Sequence, residues 1–136
     1  MNTMKKIGLI CTALFPLIAQ AEIIASQATI FPTEKAGQPS AIFMQLQNTG
    51  NETVNLLFAE SQQPARLELH GIHNGKMHAL NGIEIPAKQS ISLKRGGLHI
   101  MVFDLTQPIQ QDKTFPFKLF FDNGEVVAVE ATTQSK

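Results

Sequence analysis

All four histidines of the chain, and two of its five methionines, lie between residues 70 and 101. They are His70, His73, Met77, His78, His99 and Met101. Imidazole nitrogen and thioether sulfur are ligands for borderline and soft metal ions, and Cu(I) is the ion that this mixture favours. A single histidine is more often a surface or hydrogen-bonded residue, and a single methionine is more often core filler. It is the clustering that predicts a metal site.

The N-terminus has the pattern of a secretory signal peptide. Lys5 and Lys6 precede an apolar run over residues 7–19, and Ala19-Gln20-Ala21 supplies the small residues of a cleavage site. The apolar run is too short for a permanent membrane-spanning helix. We therefore expect cleavage after Ala21, with residues 22–136 as the exported domain.

Composition favours one globular domain that depends on its core. Removal of 21 of the 136 residues leaves 115, with nine basic and eleven acidic side chains and a formal charge of −2. Neither this charge nor the balanced charge of the full chain indicates a nucleic acid partner. The one cysteine, Cys11, follows Gly8-Leu9-Ile10, which lacks the small residue of a lipoprotein site, so it is interpreted as a signal-peptide residue. The exported domain then has no disulfide to stabilise it.

Short alternating segments, separated by turn residues, predict an all-β fold. About nine strands are expected, in a Greek-key sandwich or small barrel. The strongest apolar face is predicted for Phe115, Phe117, Leu119 and Phe121, and Met44 is predicted to be in the core. Residues 82–86 are expected to be a connection, residues 98–105 a strand, and the tail after Glu130 frayed.

The central stretch contains a predicted hairpin with Asn74-Gly75 as its two-residue turn. This turn pairs His73 with Lys76 and Ile72 with Met77, so His70 and Met77 share one face while His73 and His78 share the other. On a later strand His99 and Met101 lie two apart, on the face opposite Ile100. We expect His70, Met77, His99 and Met101 to converge outside the core as an exposed site.

The His-x-Met pair at His99 and Met101, taken alone, fits a chance pair on a partly buried face. Because His70 and Met77 also share one predicted face, a metal site is favoured over a chance pair. His73 and His78, on the opposite face of the hairpin, are candidates for an auxiliary Cu(II) site, because imidazole suits the harder ion better than thioether does.

Nearly the whole predicted exported domain resembles the periplasmic copper chaperone family PCuAC. In that family a His and a Met are followed by 21 residues and His-x-Met; here 21 residues separate Met77 from His99, and Met101 completes the motif. The segments AIFMQLQNTGNE, ARLELH, GIEIPA, GGLHIM and DKTFPFKLFF are also similar to the family. The first His and Met are usually ten residues apart, whereas six residues lie between His70 and Met77. Equal shortening of both hairpin arms preserves the face that the two side chains share.

The resemblance implies a cupredoxin-like β-sandwich in the periplasm that binds Cu(I) through His70, Met77, His99 and Met101. It also implies delivery of copper to a respiratory cuproprotein, notably the CuA centre of cytochrome c oxidase, with another periplasmic copper enzyme as the alternative acceptor. The residues agree on one separate point: a blue-copper electron carrier needs a Cys thiolate, and residues 22–136 contain no cysteine.

Three other classes of function are weighed against a copper carrier. Passive buffering of copper or zinc without a dedicated acceptor uses the same histidines. An enzyme is not indicated, since no nucleophile elbow or phosphate loop is present and Asp104 lies at odd spacing from His99. An adhesive or assembly domain has only the predicted sandwich in its favour.

Overall fold

Ten β-strands make up the regular structure of residues 22–133, the part of the chain that the structure, a computed structural model, describes. They are β1 (Ile23–Ile30), β2 (Ser40–Asn48), β3 (Val54–Ser61), β4 (Arg66–His73), β5 (Lys76–Ala79), β6 (Ile83–Ile85), β7 (Ser90–Leu93), β8 (His99–Phe103), β9 (Thr114–Phe121) and β10 (Val126–Thr133). The described residues contain no helix, so the predicted all-β class is confirmed. The predicted signal peptide and the last three residues lie outside the described range.

The strands form one ten-stranded sheet in the order β5-β4-β8-β2-β1-β10-β9-β3-β6, with β7 paired to β2. Several neighbours are far apart in sequence, as in Greek-key connections. All pairs are antiparallel except β1 with β10. Strand β1 pairs with β2 along its length, with a register shift between Ser26 and Thr29, and its end, at Thr29 and Ile30, also pairs with β10. With β2 on one side and β10 on the other, β1 joins the two halves of the fold, which enclose a common core.

The core is filled by the alternating apolar residues that the sequence pattern predicts. Phe115, Phe117, Leu119 and Phe121 are all buried on one face of β9, as predicted. Met44 on β2 is 2% exposed, which confirms its assignment to the core. Full burial of one such side chain contributes roughly 1.5–3 kcal/mol of transfer free energy. The core face of β4 and β8 belongs to the same cluster and leaves the opposite face of these strands free for other side chains.

The β4–β5 hairpin has the predicted turn and register. Asn74 and Gly75 have φ values of 54° and 76°, the two consecutive positive values that a type I′ turn requires. The strands pair His73 with Lys76, Ile72 with Met77 and His70 with Ala79, as expected. A slip of one residue would exchange the two faces, so this register decides which candidate ligands lie together.

Three details of the strand assignment differ from the sequence-based expectation. The expected connection over residues 82–86 contains β6, because Ile83 and Ile85 are buried and pair with β3. The strand expected over residues 98–105 is shorter, and Asp104, with φ of 59°, follows its last residue. The tail was expected to fray after Glu130, but β10 continues to Thr133, because Thr132 and Thr133 pair with Thr29 and Ile30 of β1.

Within residues 22–133, no helix has the length and apolar character needed to cross a lipid bilayer.

Candidate metal site

Three adjacent strands, β5, β4 and β8, bring the four predicted ligands to the same face of the sheet. His70 lies directly opposite His99 of β8, and Met101 lies opposite Glu68 two residues further along. On the other side of β4, Met77 is paired with Ile72, which places it diagonally from His70. Directly paired residues share a face of the sheet, and so do residues two apart along a strand. The register therefore brings together side chains that are up to 31 positions apart in the sequence, from His70 to Met101.

Met77, His99 and Met101 line one open cleft of about 160 Å³, together with Ile72, Phe43 and Arg95. His70 does not line this cleft, but the centroid of its ring is 5.8 Å from that of His99, which does. Two imidazoles that bind one ion have centroids roughly 4 to 6 Å apart, given metal–nitrogen bonds of ~2 Å and ~1 Å from nitrogen to ring centre. The observed separation of the two rings is within this range.

The two histidine rings are buried, which the sequence did not lead us to expect. His70 is 8% exposed and His99 is 4% exposed, although both lie on the face opposite the core residues Leu69 and Ile100, as predicted. The expectation of an exposed site was therefore wrong for its imidazole half.

A small aromatic layer, formed by Phe31, Phe43 and Phe103, covers the rings on this outer face. The ring of Phe43 lies 6.3 Å from that of His99, and the ring of Phe103 lies 6.0 Å from that of His70. Phe31 packs edge-on against Phe43, with ring centroids 5.4 Å apart. The place of Phe103 in this aromatic layer could be anticipated from the sequence, because Phe103 lies two residues after Met101 and hence on the same face. Phe43 belongs to a separate part of the chain, and only the β2–β8 pairing brings it to the site.

The hydrogen bonds of the two imidazoles leave a different ring nitrogen free in each residue. The Nδ1 atom of His99 lies 2.9 Å from the carbonyl oxygen of Gly97. A carbonyl can only accept, so Nδ1–H donates and Nε2 carries the lone pair. The Nε2 atom of His70 instead lies 2.9 Å from Oε1 of Glu68, while its Nδ1 atom is buried and has no hydrogen-bond partner among the described residues. Each ring therefore retains one nitrogen that a metal ion could use.

The environment of His70 favours its neutral form. Burial of the ring lowers the pKa of His70 below its ordinary value of 6.5, and the positive charge of Arg66 lowers this pKa further. A neutral imidazole is the form that binds a metal ion, because its lone pair is not occupied by a proton. The site is thus able to bind a metal without first removing a proton from His70 at neutral pH.

The methionines occupy environments that contrast with those of the histidines. Met77 is 50% exposed, and Met101 is half-buried within the cleft. A large apolar side chain on the surface is common when it stands alone, but here the sulfur borders a cleft that also contains imidazole. The cleft therefore has a buried nitrogen side and an accessible sulfur side.

His73 and His78 lie on the opposite face of the hairpin, as predicted. Both are exposed, and their ring centroids are 6.1 Å apart. They border a second surface cleft with Gly71, Leu80 and Leu98. Within residues 22–133, no three or more His, Cys, Asp or Glu side chains gather in a group suited to a metal ion.

Comparison with solved structures identifies the fold. The copper-bound PCuAC domain from PmoF2 matches with a TM-score of 0.74 at 14% sequence identity, over 88% of this chain and 97% of that domain. The structure titled CuI-DR1885, from Deinococcus radiodurans, matches with a TM-score of 0.64 at 22% identity, over 81% of this chain and 78% of that one. The described residues thus have the cupredoxin-like β-sandwich fold of PCuAC domains, as predicted.

The sequence itself places the chain in a family. Residues 20–133 match the model of the LpqE-like family, described as "Putative lipoprotein LpqE-like", and the chain belongs to that family. A curated relative, "Putative lipoprotein Lxx21020" from Leifsonia xyli subsp. xyli, is 32% identical over 95 residues, which is 66% of this chain. The match spans 57% of the length of that relative.

Proposed function

We propose that the protein is a copper chaperone that binds Cu(I) through His70, Met77, His99 and Met101. The observation that carries this proposal is the placement of two buried imidazoles and two methionines on one face of three adjacent strands. The fold is also that of domains whose solved structures are described as copper-bound. The metal is the cargo of such a protein, so the site must both bind it and release it.

The chemistry of the four side chains favours Cu(I) over other ions. Thioether sulfur is a soft ligand that carries no proton at any relevant pH, and imidazole suits both copper oxidation states. Zn²⁺ in proteins is bound by thiolate, imidazole and carboxylate rather than by thioether. A set of two imidazoles and two thioethers contributes no negative charge, so the doubly charged Cu(II) and Zn²⁺ gain less from it than from anionic ligands.

The accessible sulfur side gives a physical route for release of the ion. Met77 lies on a short hairpin and is half exposed, so a ligand from an acceptor can approach on this side while the buried imidazoles hold the ion. Stepwise exchange of ligands avoids a free ion in solution. The acceptor in this proposal is a respiratory cuproprotein, with the CuA centre of cytochrome c oxidase as the favoured candidate.

Methionine substitutions test the site. Met77→Leu and Met101→Leu should each weaken Cu(I) binding roughly 10-fold or more, in a competition titration under anaerobic conditions with a chromophoric Cu(I) chelator. The matched control is Met44→Leu, which changes a core methionine, costs less than about 1.5 kcal/mol of stability, and should leave Cu(I) affinity unchanged. If all three variants bind Cu(I) as the wild type does, the assignment of the site is wrong.

Metal transfer separates a chaperone from a buffer, which is the alternative function. The copper-loaded protein should transfer Cu(I) to a metal-free CuA domain faster than copper dissociates into a chelator of matched affinity. Deletion of the gene should lower the activity of a copper-dependent respiratory enzyme under copper limitation, and added copper should restore it. Transfer at the rate of free dissociation, together with no change in enzyme activity, would favour passive buffering of copper or zinc.

We also propose that the protein works outside the cytoplasm, in the periplasm, after cleavage following Ala21. Membership in a family described as lipoprotein-like supports export, as does the signal-peptide pattern of residues 1–21. Intact-mass measurement on the exported protein tests the cleavage position. A mass that includes a lipid-modified Cys11 would instead indicate a membrane-anchored form.

His73 and His78 are proposed as an auxiliary Cu(II) site, because their exposed rings are 6.1 Å apart on paired strands. Two imidazoles and water can bind Cu(II) weakly, with no contribution from sulfur. Electron paramagnetic resonance spectra of the Cu(II)-loaded protein should lose nitrogen hyperfine structure in a His73→Ala, His78→Ala double variant. Identical spectra for the two proteins would contradict this site.

A further inference from the structure

Glu68 occupies a position beside the candidate site that the proposed function does not explain. Its side chain lies on the same outer face as His70, two residues along β4, and opposite Met101 on β8. One carboxylate oxygen contacts Nε2 of His70 at 2.9 Å, and the other forms an ion pair with Arg66. The side chain of Glu68 is 33% exposed, so it is partly shielded from solvent.

Arg66 is itself held in place by two further contacts. Its Nε atom lies 3.2 Å from Oδ2 of Asp104, and its guanidinium group lies 4.6 Å from the centre of the Phe103 ring. The guanidinium group is planar and presents donors in fixed directions, so it orients the carboxylate of Glu68 as well as neutralising its charge. The result is a chain of contacts that runs from Asp104 through Arg66 and Glu68 to His70.

This chain of contacts determines which nitrogen of His70 carries the proton. An ionised carboxylate can only accept a hydrogen bond, so Nε2 of the neutral ring must carry the hydrogen. The lone pair then belongs to Nδ1, which is the one buried side-chain nitrogen or oxygen without a hydrogen-bond partner in residues 22–133. A buried acceptor without a partner is uncommon in folded proteins, and a bound metal ion would supply the missing partner.

We propose that Glu68 is a positioning residue, which keeps His70 in the Nε2–H tautomer and directs Nδ1 to the metal. His99 has the opposite arrangement, because the carbonyl of Gly97 keeps its hydrogen on Nδ1 and leaves Nε2 to bind. The two imidazoles thus bind one ion through different nitrogens, each oriented by its own acceptor. Such outer partners of metal-binding histidines fix ring orientation and increase the basicity of the ligand. This inference rests on the proposed metal site.

Nitrogen NMR of the metal-free protein tests the tautomers directly. In two-bond proton–nitrogen correlation spectra of the ¹⁵N-labelled protein, the unprotonated nitrogen should be Nδ1 for His70 and Nε2 for His99. Addition of one equivalent of Cu(I) under anaerobic conditions should then shift these two nitrogens most. A Cu(I)-induced shift at Nε2 of His70 would show that the metal displaces Glu68 and would overturn the inference while leaving the site intact. Absence of any shift at His70 or His99 would overturn the proposed site as well.

Substitution of Glu68 tests its role as a positioning residue. Glu68→Leu should produce a mixture of His70 tautomers and weaken Cu(I) binding about 10- to 100-fold, the range typical for loss of an outer partner. Glu68→Gln should give a smaller loss, since its amide can either accept from Nε2–H or donate to the other tautomer. The control is Glu84→Leu, which removes the same charge from an exposed site on β6 and should change neither property. Weaker binding by Glu68→Leu with the tautomer of His70 unchanged would overturn the positioning role.

Discussion

The two histidine pairs of the site region are similar in ring spacing but differ in burial and in hydrogen bonding. The rings of His70 and His99 are 5.8 Å apart, and those of His73 and His78 are 6.1 Å apart. Both pairs are formed across antiparallel strands that include β4. The first pair is buried beneath an aromatic layer, whereas the second is exposed at the end of a hairpin. Ring separation alone therefore does not distinguish a preorganised site from two neighbouring surface residues.

Hydrogen bonding accounts for the difference between the pairs. Each ring of the buried pair has an acceptor that orients it, Glu68 for His70 and Gly97 for His99. In the described part of the chain, no hydrogen bond holds the ring of His73 or of His78. An unrestrained side chain loses rotamer freedom when it binds a metal, and this entropy loss weakens binding. The comparison shows that preorganisation arises from the neighbours of a ligand rather than from the ligand itself.

The largest expected effect is the difference in Cu(I) affinity between two variants, each with one histidine of a different pair replaced by alanine. His99→Ala should weaken Cu(I) binding about 100-fold or more, since loss of an outer partner alone typically costs 10- to 100-fold. His78→Ala should change Cu(I) affinity less than about 2-fold, because its ring lies on the other face and can contribute little to a preorganised site. Competition titration of both variants measures the contrast. Equal losses in the two variants would mean that the pairs act as one site.

The turn of the hairpin should affect the exposed pair more than the buried one. Gly75→Ala forces alanine to a φ of 76° and should destabilise the fold by about 1 kcal/mol. Both His73 and His78 lie beside the turn, whereas Met77 is the one proposed Cu(I) ligand on β5. Cu(II) binding should therefore weaken more than Cu(I) binding. Urea denaturation gives the stability, and Cu(II) titration gives the binding. A loss of Cu(I) affinity larger than the loss of Cu(II) affinity would contradict this division.

The smallest expected effect is on the pH dependence of stability. The pKa of His70 is below 6.5 in the folded protein because the ring is buried and Arg66 is close, whereas the unfolded chain has an ordinary value. The unfolded state then binds more protons between the two pKa values, so the free energy of unfolding decreases as pH falls below about 6.5. Below the pKa of His70 in the folded protein, the contribution of His70 to the free energy of unfolding no longer changes with pH.

Chemical denaturation of the metal-free protein at several pH values checks this expectation. His70→Phe should flatten the decrease in stability below pH 6.5, while His73→Gln should leave it unchanged because that ring is exposed. If His70→Phe retains the full decrease, then the environment of His70 is not its source. A comparable flattening by His73→Gln would place the pH dependence in the exposed pair instead.

Local patterns in the sequence were enough to predict the parts of the site that depend on one hairpin or one strand. Asn74-Gly75 determines the pairing of Ile72 with Met77, because a two-residue turn permits only one register. The two-residue period of a strand places His99 and Met101 on one face in the same way. The buried face of β9 follows from four apolar residues at alternate positions. Each of these features arises from residues that are close together in the chain.

Features that depend on distant segments could not be obtained from those patterns. His99 is covered by Phe43, against which Phe31 packs, and these two residues reach the site only through the pairing of β2 with β8 and through the end of β1. The contacts of Glu68 with His70 and Arg66 depend on side-chain rotamers that alternation does not specify. Strand β10 is extended to Thr133 by a parallel neighbour from the other end of the chain. The sequence thus determined which residue types share a face of each strand, because strand periodicity is local. Their burial and their hydrogen-bond partners were decided by the tertiary structure, because these depend on which distant strands become neighbours.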